Sequence, residues 1–187
     1  MKTAQEFIDS LRPLQRTFYM LGEREDNPVD HPMIRPCLNA TAACYEVAQD
    51  PQHAEIMTAT SHITGQTISR FTHIAQNTDD LVKRVKMSRL MGQHTATCFL
   101  RCTGLDGINA ATIVSHGIDG KLGTAYSPRV RDFVGYVQEN DINCHIGMTD
   151  VKGDRSLRPG EQADPDMFVR VVERRKNGIV VRGAKAH

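Results

Sequence analysis

The 187-residue chain contains no tryptophan, few aromatic residues (5%) and almost no excess charge of either sign. Its 23 basic and 22 acidic side chains leave a formal charge of +1. A balance this even does not produce the basic surface that attracts nucleic acid or an anionic membrane. We therefore expect neither as a partner.

Long hydrophobic runs are also missing. No apolar stretch approaches the roughly 20 residues that a transmembrane helix needs. Charged side chains interrupt the amino terminus, where a secretory signal has an apolar core: Glu6, Asp9, Arg12 and Arg16. The sequence therefore predicts a cytoplasmic protein.

The five cysteines do not form a disulfide framework, because their number is odd and their spacing is uneven. Cys98 and Cys102 lie one helical turn apart if their segment is helical, so their thiols would share a face roughly 6 Å apart. Two such thiolates are half of the four ligands of a tetrahedral zinc ion or an iron–sulfur cluster. His94 continues the same stripe as a further ligand or a supporting donor.

A core role is the alternative for this pair, since free cysteine is among the most buried residue types. The same role is expected for the remaining three cysteines: Cys37, Cys44 and Cys144.

The first 140 residues have the pattern of helices joined by short polar links. Thr3 and Glu6 form a capping box that begins one helix. A longer helix is predicted from residues 77–80 through the cysteine pair to a stop at Gly104, and further helices from Asp106 and from Ser127.

After residue 140 the periodicity changes from about 3.6 to 2. Strands are predicted at residues 142–148, 167–174 and 179–184, with a type I′ turn at Asn177 and Gly178 between the last two. The strand pattern continues to the final residue, so we expect a truncated β-domain. The sequence thus predicts an α+β fold, with a helical domain at residues 1–140 and the beginning of a β-domain at residues 141–187.

A polar segment lies between the predicted strands. It comprises Met148, Thr149, Asp150, Val151, Lys152, Gly153, Asp154, Arg155 and Ser156. Backbone amides beside Gly153, together with Arg155 and the hydroxyls of Thr149 and Ser156, are suited to the polar atoms of a flavin or its pyrophosphate. A polar surface loop is the alternative interpretation.

Several motifs occur in an order that is informative as a set: residues 19–24, 29–32, 69–73, 94–104, 149–156, 162–166 and 181–187. Together they resemble the amino-terminal part of the 4-hydroxyphenylacetate 3-hydroxylase superfamily. The Cys98 and Cys102 pair resembles its 4-hydroxybutyryl-CoA-dehydrating branch, because the flavin-only hydroxylases do not carry that pair.

The resemblance implies an acyl-CoA-dehydrogenase-like architecture, with a helical domain, a β-domain and a second helical bundle. It implies that Cys98 and Cys102 are two ligands of a [4Fe-4S] cluster, and that residues 148–156 and His187 bind FAD. His94 becomes a neighbour of the cluster. The family's other cluster ligands and its catalytic base lie further downstream, so no catalytic residue is assigned within these 187 residues.

The implied activity is dehydration of 4-hydroxybutyryl-CoA to crotonyl-CoA, with isomerisation of vinylacetyl-CoA, by a homotetramer. The 187 residues alone are then expected to be inactive. Two alternatives remain open: an aromatic 3-monooxygenase that uses reduced flavin, and a zinc-binding structural protein in which His94, Cys98 and Cys102 hold the metal.

Overall fold

The computed structural model describes residues 1–186, and the chain divides into two compact units, Met1–His145 and Ile146–His187. The first unit contains α1 (Ala4–Leu11), β1 (Phe18–Met20), β2 (Glu23–Glu25), α2 (Arg35–Gln49), α3 (Ala54–Met57), β3 (Thr58–Thr60), β4 (Thr67–Ser69), α4 (Thr78–Thr95), α5 (Cys102–Leu122) and α6 (Tyr126–Glu139). The second contains β5 (Arg170–Arg175) and β6 (Gly178–Arg182). Within residues 1–186 the strands form three antiparallel pairs, β1 with β2, β3 with β4 and β5 with β6. This mixture of helices and small sheets confirms the mixed class expected from the sequence.

The capping box at the start of α1 is confirmed. The Thr3 hydroxyl accepts a hydrogen bond from the amide of Glu6 at 3.2 Å, and the Glu6 carboxylate accepts one from the amide of Thr3 at 2.7 Å. The helix then buries Phe7 and Ile8, and the Phe7 ring stacks on Tyr45 of α2 with ring centroids 4.6 Å apart. Local capping and an apolar face therefore place α1 against α2.

The main core of the first unit lies where α2, α3, α4 and the start of α5 meet. Its buried members are Cys44, Val47, Ala48, Met57, Phe71, Met87, Met91, Phe99 and Leu105. Several apolar residues of these helices are exposed, including Val85 of α4, Val114 of α5 and Phe133 of α6. The helical periodicity of the sequence predicted α4, α5 and α6. It did not predict which face of each helix is buried, because apolar residues occur on more than one side of each helix.

The predicted continuous helix through the cysteine pair is wrong. Helix α4 begins after Asn77 as expected, but it ends at Thr95, and Ala96 adopts a left-handed conformation with φ 52°. A second left-handed residue, Leu100 with φ 57°, precedes the start of α5 at Cys102. The predicted helix end at Gly104 and the predicted helix start at Asp106 are therefore both wrong. Cys98 lies in the connecting loop, so the two cysteines do not share a helical face.

Asp119, in the last turn of α5, caps helix α6, which begins at Tyr126, one residue before the predicted start at Ser127. Its carboxylate accepts hydrogen bonds from the Thr124 hydroxyl at 2.6 Å and from the amides of Tyr126 and Ser127 at 2.8 and 2.7 Å. These hydrogen bonds lower the pKa of Asp119 below its ordinary value, and the bond from Thr124 has the largest effect. The Asp119 carboxylate thus accepts from amides at the start of α6 that have no partner within the helix.

We expect the stability contribution of Asp119 to be present above pH about 4, the ordinary carboxyl value, and to disappear as the pH falls through the lower pKa of the folded state. Asp119→Asn should therefore be less stable than the wild type at neutral pH, and the difference should shrink on acidification. Urea unfolding across a pH series measures this. A difference that stays constant with pH would contradict the capping role.

The second unit confirms two predicted strands and corrects the rest. Strands β5 and β6 pair with Arg175 opposite Gly178, so Lys176 and Asn177 are the central turn residues, one position earlier than predicted. Neither residue has a positive φ, which contradicts the type I′ turn. Residues 142–148 form no strand.

Within residues 1–186, no helix is long and apolar enough to cross a bilayer.

Candidate functional site

The loop between α4 and α5 alternates buried and exposed side chains. Phe99 and Arg101 point into the main core, whereas Cys98 is exposed and Cys102 is half-buried. The Phe99 ring packs against Phe71 with centroids 5.6 Å apart, and its carbonyl lies 3.4 Å from the Thr41 hydroxyl, which donates to it. The residues between the two cysteines therefore anchor the loop, with the Cys98 thiol exposed and Cys102 packed against the edge of the core.

Arg101 is the largest of the fully buried side chains within residues 1–186, with 2% of its area exposed. Its guanidinium carbon lies 4.3 Å from the ring centroid of Tyr45 and 4.9 Å from that of Phe71. Its Nη2 donates to the Asp141 carboxylate at 3.4 Å, and the Tyr45 hydroxyl donates to the Asp141 carbonyl at 3.1 Å. The Nη1 atom is buried and has no acceptor within residues 1–186.

All five cysteines are free thiols. Cys44 is fully buried, and burial raises the pKa of its thiol to about 12. Cys144 is half-buried. Burial raises the pKa of its thiol, and the positive charge of Arg101 offsets part of this increase. The core role expected for these two is borne out, but Cys37 is exposed.

The predicted stripe of metal ligands does not form. His94 is exposed in the last turn of α4, before the helix ends. Among residues 1–186, no group of three or more histidine, cysteine or acidic side chains is arranged to hold a metal ion. Cys98 and Cys102 are thus at most part of a ligand set.

Gly104 controls how the start of α5 packs. A Cβ atom at this position would lie 1.8 Å from the carbonyl oxygen of Cys144 and 2.5 Å from its carbonyl carbon. Only glycine allows the first turn of α5 to approach that backbone so closely. Gly104 thereby sets the position of Cys102, two residues earlier.

The predicted flavin-binding segment is a loop without helix or strand. Gln162 holds it: the Gln162 side-chain amide accepts from the Asp154 amide at 3.0 Å and donates to the Asp154 carbonyl at 2.9 Å. Gly153 lies directly beneath, where a Cβ would be 2.5 Å from the Gln162 Oε1 atom and 2.6 Å from the Met167 sulfur. The Asp154 carboxylate accepts from the Ser156 hydroxyl and amide, which lowers the pKa of Asp154.

The other end of the loop contacts the last described residues of the chain. The Thr149 hydroxyl donates to the carbonyl of Ala186, whose amide donates to the carbonyl of Thr149 at 3.0 Å. Lys185 pairs with Asp150 at 2.6 Å and donates to the Met148 carbonyl at 3.3 Å. His187, the other predicted flavin contact, lies outside the described residues.

Lys152 and Arg155 are exposed and pair with no acidic side chain within residues 1–186. The structure therefore brings the predicted residues 148–156 into one loop with two unpaired cations. The sequence did not predict that Gln162 holds the loop of residues 148–156 or that Arg101 holds the α4–α5 loop. The only available signal was that each lies within a recognised motif.

The fold and the two loops define a protein of one family: the chain belongs to the family described as 4-hydroxyphenylacetate 3-hydroxylase N terminal, whose profile matches residues 3–187. The 4-hydroxybutyryl-CoA dehydratase/vinylacetyl-CoA-Delta-isomerase of Clostridium aminobutyricum is 54% identical over 187 residues, which are 100% of this chain and 38% of that protein. The resemblance to the amino-terminal part of this kind of enzyme is thus confirmed.

Two solved structures extend the comparison. The oxygen-tolerant archaeal 4-hydroxybutyryl-CoA dehydratase from N. maritimus superimposes with a TM-score of 0.92 and 45% identity, over 100% of this chain and 37% of that one. The oxygenase component (HpaB) of 4-hydroxyphenylacetate 3-monooxygenase, complexed with FAD and 4-hydroxyphenylacetate, gives a TM-score of 0.75 at 24% identity, over 99% of this chain and 38% of that one. The second likeness shows the fold alone. The chain spans about two fifths of the length of these relatives.

Proposed function

We propose that this chain forms part of an FAD- and [4Fe-4S]-dependent 4-hydroxybutyryl-CoA dehydratase, which converts its substrate to crotonyl-CoA and isomerises vinylacetyl-CoA. The observation that carries the proposal is the pair of free thiols, Cys98 within and Cys102 at the end of a loop that is anchored in the core. The 54% identity to a dehydratase over the whole chain supports it.

The two thiols fit half of a cluster site. Cys98 is accessible in the loop, and Cys102 begins α5, where the positive end of the helix dipole favours a bound anion. A [4Fe-4S] cluster takes four protein ligands, so two must come from outside the described residues. When bound, the cluster supplies a Lewis-acidic iron for the leaving hydroxyl group.

The loop of residues 148–156 fits a flavin through its donors. Lys152 and Arg155 are exposed and unpaired within residues 1–186, and Arg155 suits bidentate recognition of phosphate. We assign Met148, Thr149, Asp150, Lys152, Gly153, Asp154, Arg155, Ser156 and His187 to FAD binding. When bound, FAD supplies reversible electron transfer to and from the substrate.

Five further features belong to the same proposal. The fold is that of the acyl-CoA-dehydrogenase-like enzymes, with residues 1–140 as the helical domain and residues 141–187 as the beginning of the FAD-binding β-domain. The substrate is an acyl-CoA, the active assembly is a homotetramer and the location is the cytoplasm. The described residues contain no assigned catalytic base, so the 187 residues alone are inactive.

The cluster assignment is tested with Cys98→Ser and Cys102→Ser in the anaerobically purified assembly that contains this chain. Each variant should lose most of its iron and acid-labile sulfide together with dehydration activity, because a cluster ligand is removed, while FAD remains bound. Cys37→Ser is the control, since Cys37 is an exposed thiol of α2 that is not assigned to the cluster. Unchanged iron content in both loop variants would refute the assignment.

The flavin assignment is tested with Arg155→Gln. Removing one charge-assisted hydrogen bond to phosphate should weaken FAD binding by about tenfold, measured by fluorescence titration. Arg174→Gln is the matched control, because Arg174 is an exposed arginine of β5 in the same unit. Equal FAD affinity in the two variants would remove residues 148–156 from the flavin site.

Metal analysis and an activity assay of the same purified protein decide between the alternatives. Zinc without sulfide in the purified protein would favour a zinc-binding structural role. Hydroxylation of a phenol by reduced flavin and oxygen, without iron, would favour the monooxygenase.

A further inference from the structure

Arg101 occupies an unusual place for a charged residue, because it lies between the two proposed cluster ligands in sequence and inside the core in space. Only 2% of its area is exposed. A buried cation requires compensation, and here the Asp141 carboxylate and the faces of Tyr45 and Phe71 provide it. The side chain is therefore held by three separate parts of the first unit.

The backbone beside Arg101 is strained. Leu100 has φ 57° and Ala96 has φ 52°, a region that residues other than glycine rarely adopt. Such conformations persist only when surrounding contacts impose them. Phe99 and Arg101, which flank Leu100, supply those contacts through the core.

We propose that Arg101 is a positioning residue for the Cys98 and Cys102 ligand pair, an inference that rests on the proposed function. Arg101 directly precedes Cys102 and follows Cys98 by three residues, so its anchored backbone limits the movement of both thiols. Ligand pairs held in place before binding retain a metal group longer than mobile ones.

Arginine suits this position better than lysine. Its planar guanidinium stacks on aromatic rings while it donates to a carboxylate, which an ammonium group does less well. It also leaves one buried donor, Nη1, for an acceptor that residues 1–186 do not supply.

The test uses Arg101→Lys and Arg101→Met in the anaerobically purified assembly. The readout is the first-order rate of iron release to a ferrous chelator, measured well below the unfolding temperature of each variant. Arg101→Met should release iron about tenfold faster than the wild type, and Arg101→Lys should fall between them. If Arg101→Met does not fold, the rate of iron release is compared with the wild type in Arg101→Lys and Asp141→Asn instead.

Arg70 provides a matched control. It is also buried, with 4% of its area exposed, and pairs with Asp80 at 3.3 Å in the same unit, but it lies outside the α4–α5 loop. Arg70→Met should reduce thermal stability yet leave iron release within about twofold of the wild type. Equal acceleration in the Arg101 and Arg70 variants would show a merely structural role and overturn the inference. Absence of iron and sulfide from the wild type would instead overturn the proposed function itself.

Discussion

Gly104→Ala is expected to lower the free energy of unfolding by about 3 kcal/mol, at the upper end of the usual cost of overpacking. The added Cβ would lie 1.8 Å from the Cys144 carbonyl oxygen, and both partners are backbone, so no side chain can move away. The first turn of α5 would have to shift, and Cys102 with it. Urea unfolding measures the loss, and the iron content of the holoprotein reports the displacement of the ligand.

Gly117 is the matched control for this substitution. It lies in the same helix, α5, with nothing within 4 Å of its Cβ position. Gly117→Ala should therefore stabilise the protein by about 0.5–1 kcal/mol, because alanine is the better helix former. Equal effects at the two positions would mean that the close approach of α5 to Cys144 does not exist in solution.

Asp141→Asn is expected to cost about 3 kcal/mol of stability, since it leaves the Arg101 guanidinium buried without its counter-charge. Both side chains are below one tenth exposed, so solvent screens the pair weakly. The asparagine tolerates the left-handed backbone of Asp141, which has φ 41°, so backbone strain adds nothing to the loss. The loss does include one of two hydrogen bonds, because the carboxylate also accepts from the Lys2 amide at 2.9 Å and an asparagine has only one acceptor oxygen. The unfolding free energy in urea is the measurement.

Asp26→Asn serves as the comparison. Asp26 pairs with Arg24 on the surface of the same unit, where both side chains are mostly exposed. Exposed pairs contribute little, so this variant should stay within about 0.5 kcal/mol of the wild type. If Asp141→Asn were equally mild, the Arg101 guanidinium would have to find other compensation, and its positioning role would weaken.

Local signals in the sequence identified several elements correctly. The Thr3 and Glu6 capping box begins α1, and Asn77 caps α4, because these side chains bond to amides only three residues away. The strands flanking Asn177 followed from their alternating pattern. Such features depend on neighbours in the chain, which the sequence shows directly.

The path of the chain between α4 and α5 did not follow from local signals. Residues 94–104 fit a helix, yet the helix ends at Thr95 because Phe99 and Arg101 find partners in the core that a continuous helix would not reach. Tertiary contacts worth several kilocalories outweigh a propensity difference of about 1 kcal/mol per residue at most. The same competition explains the cap of α6, which Asp119 provides from the preceding helix.

The sequence by itself therefore determined the family, the Cys98 and Cys102 pair and the polar composition of residues 148–156, because residue identity and order carry that information. Only the tertiary structure decided that the pair flanks a loop, that Arg101 anchors this loop and that Gln162 holds the second one. The physical reason is that these contacts join residues distant in the chain, as Arg101 and Asp141 are, and their energy appears only when the core assembles.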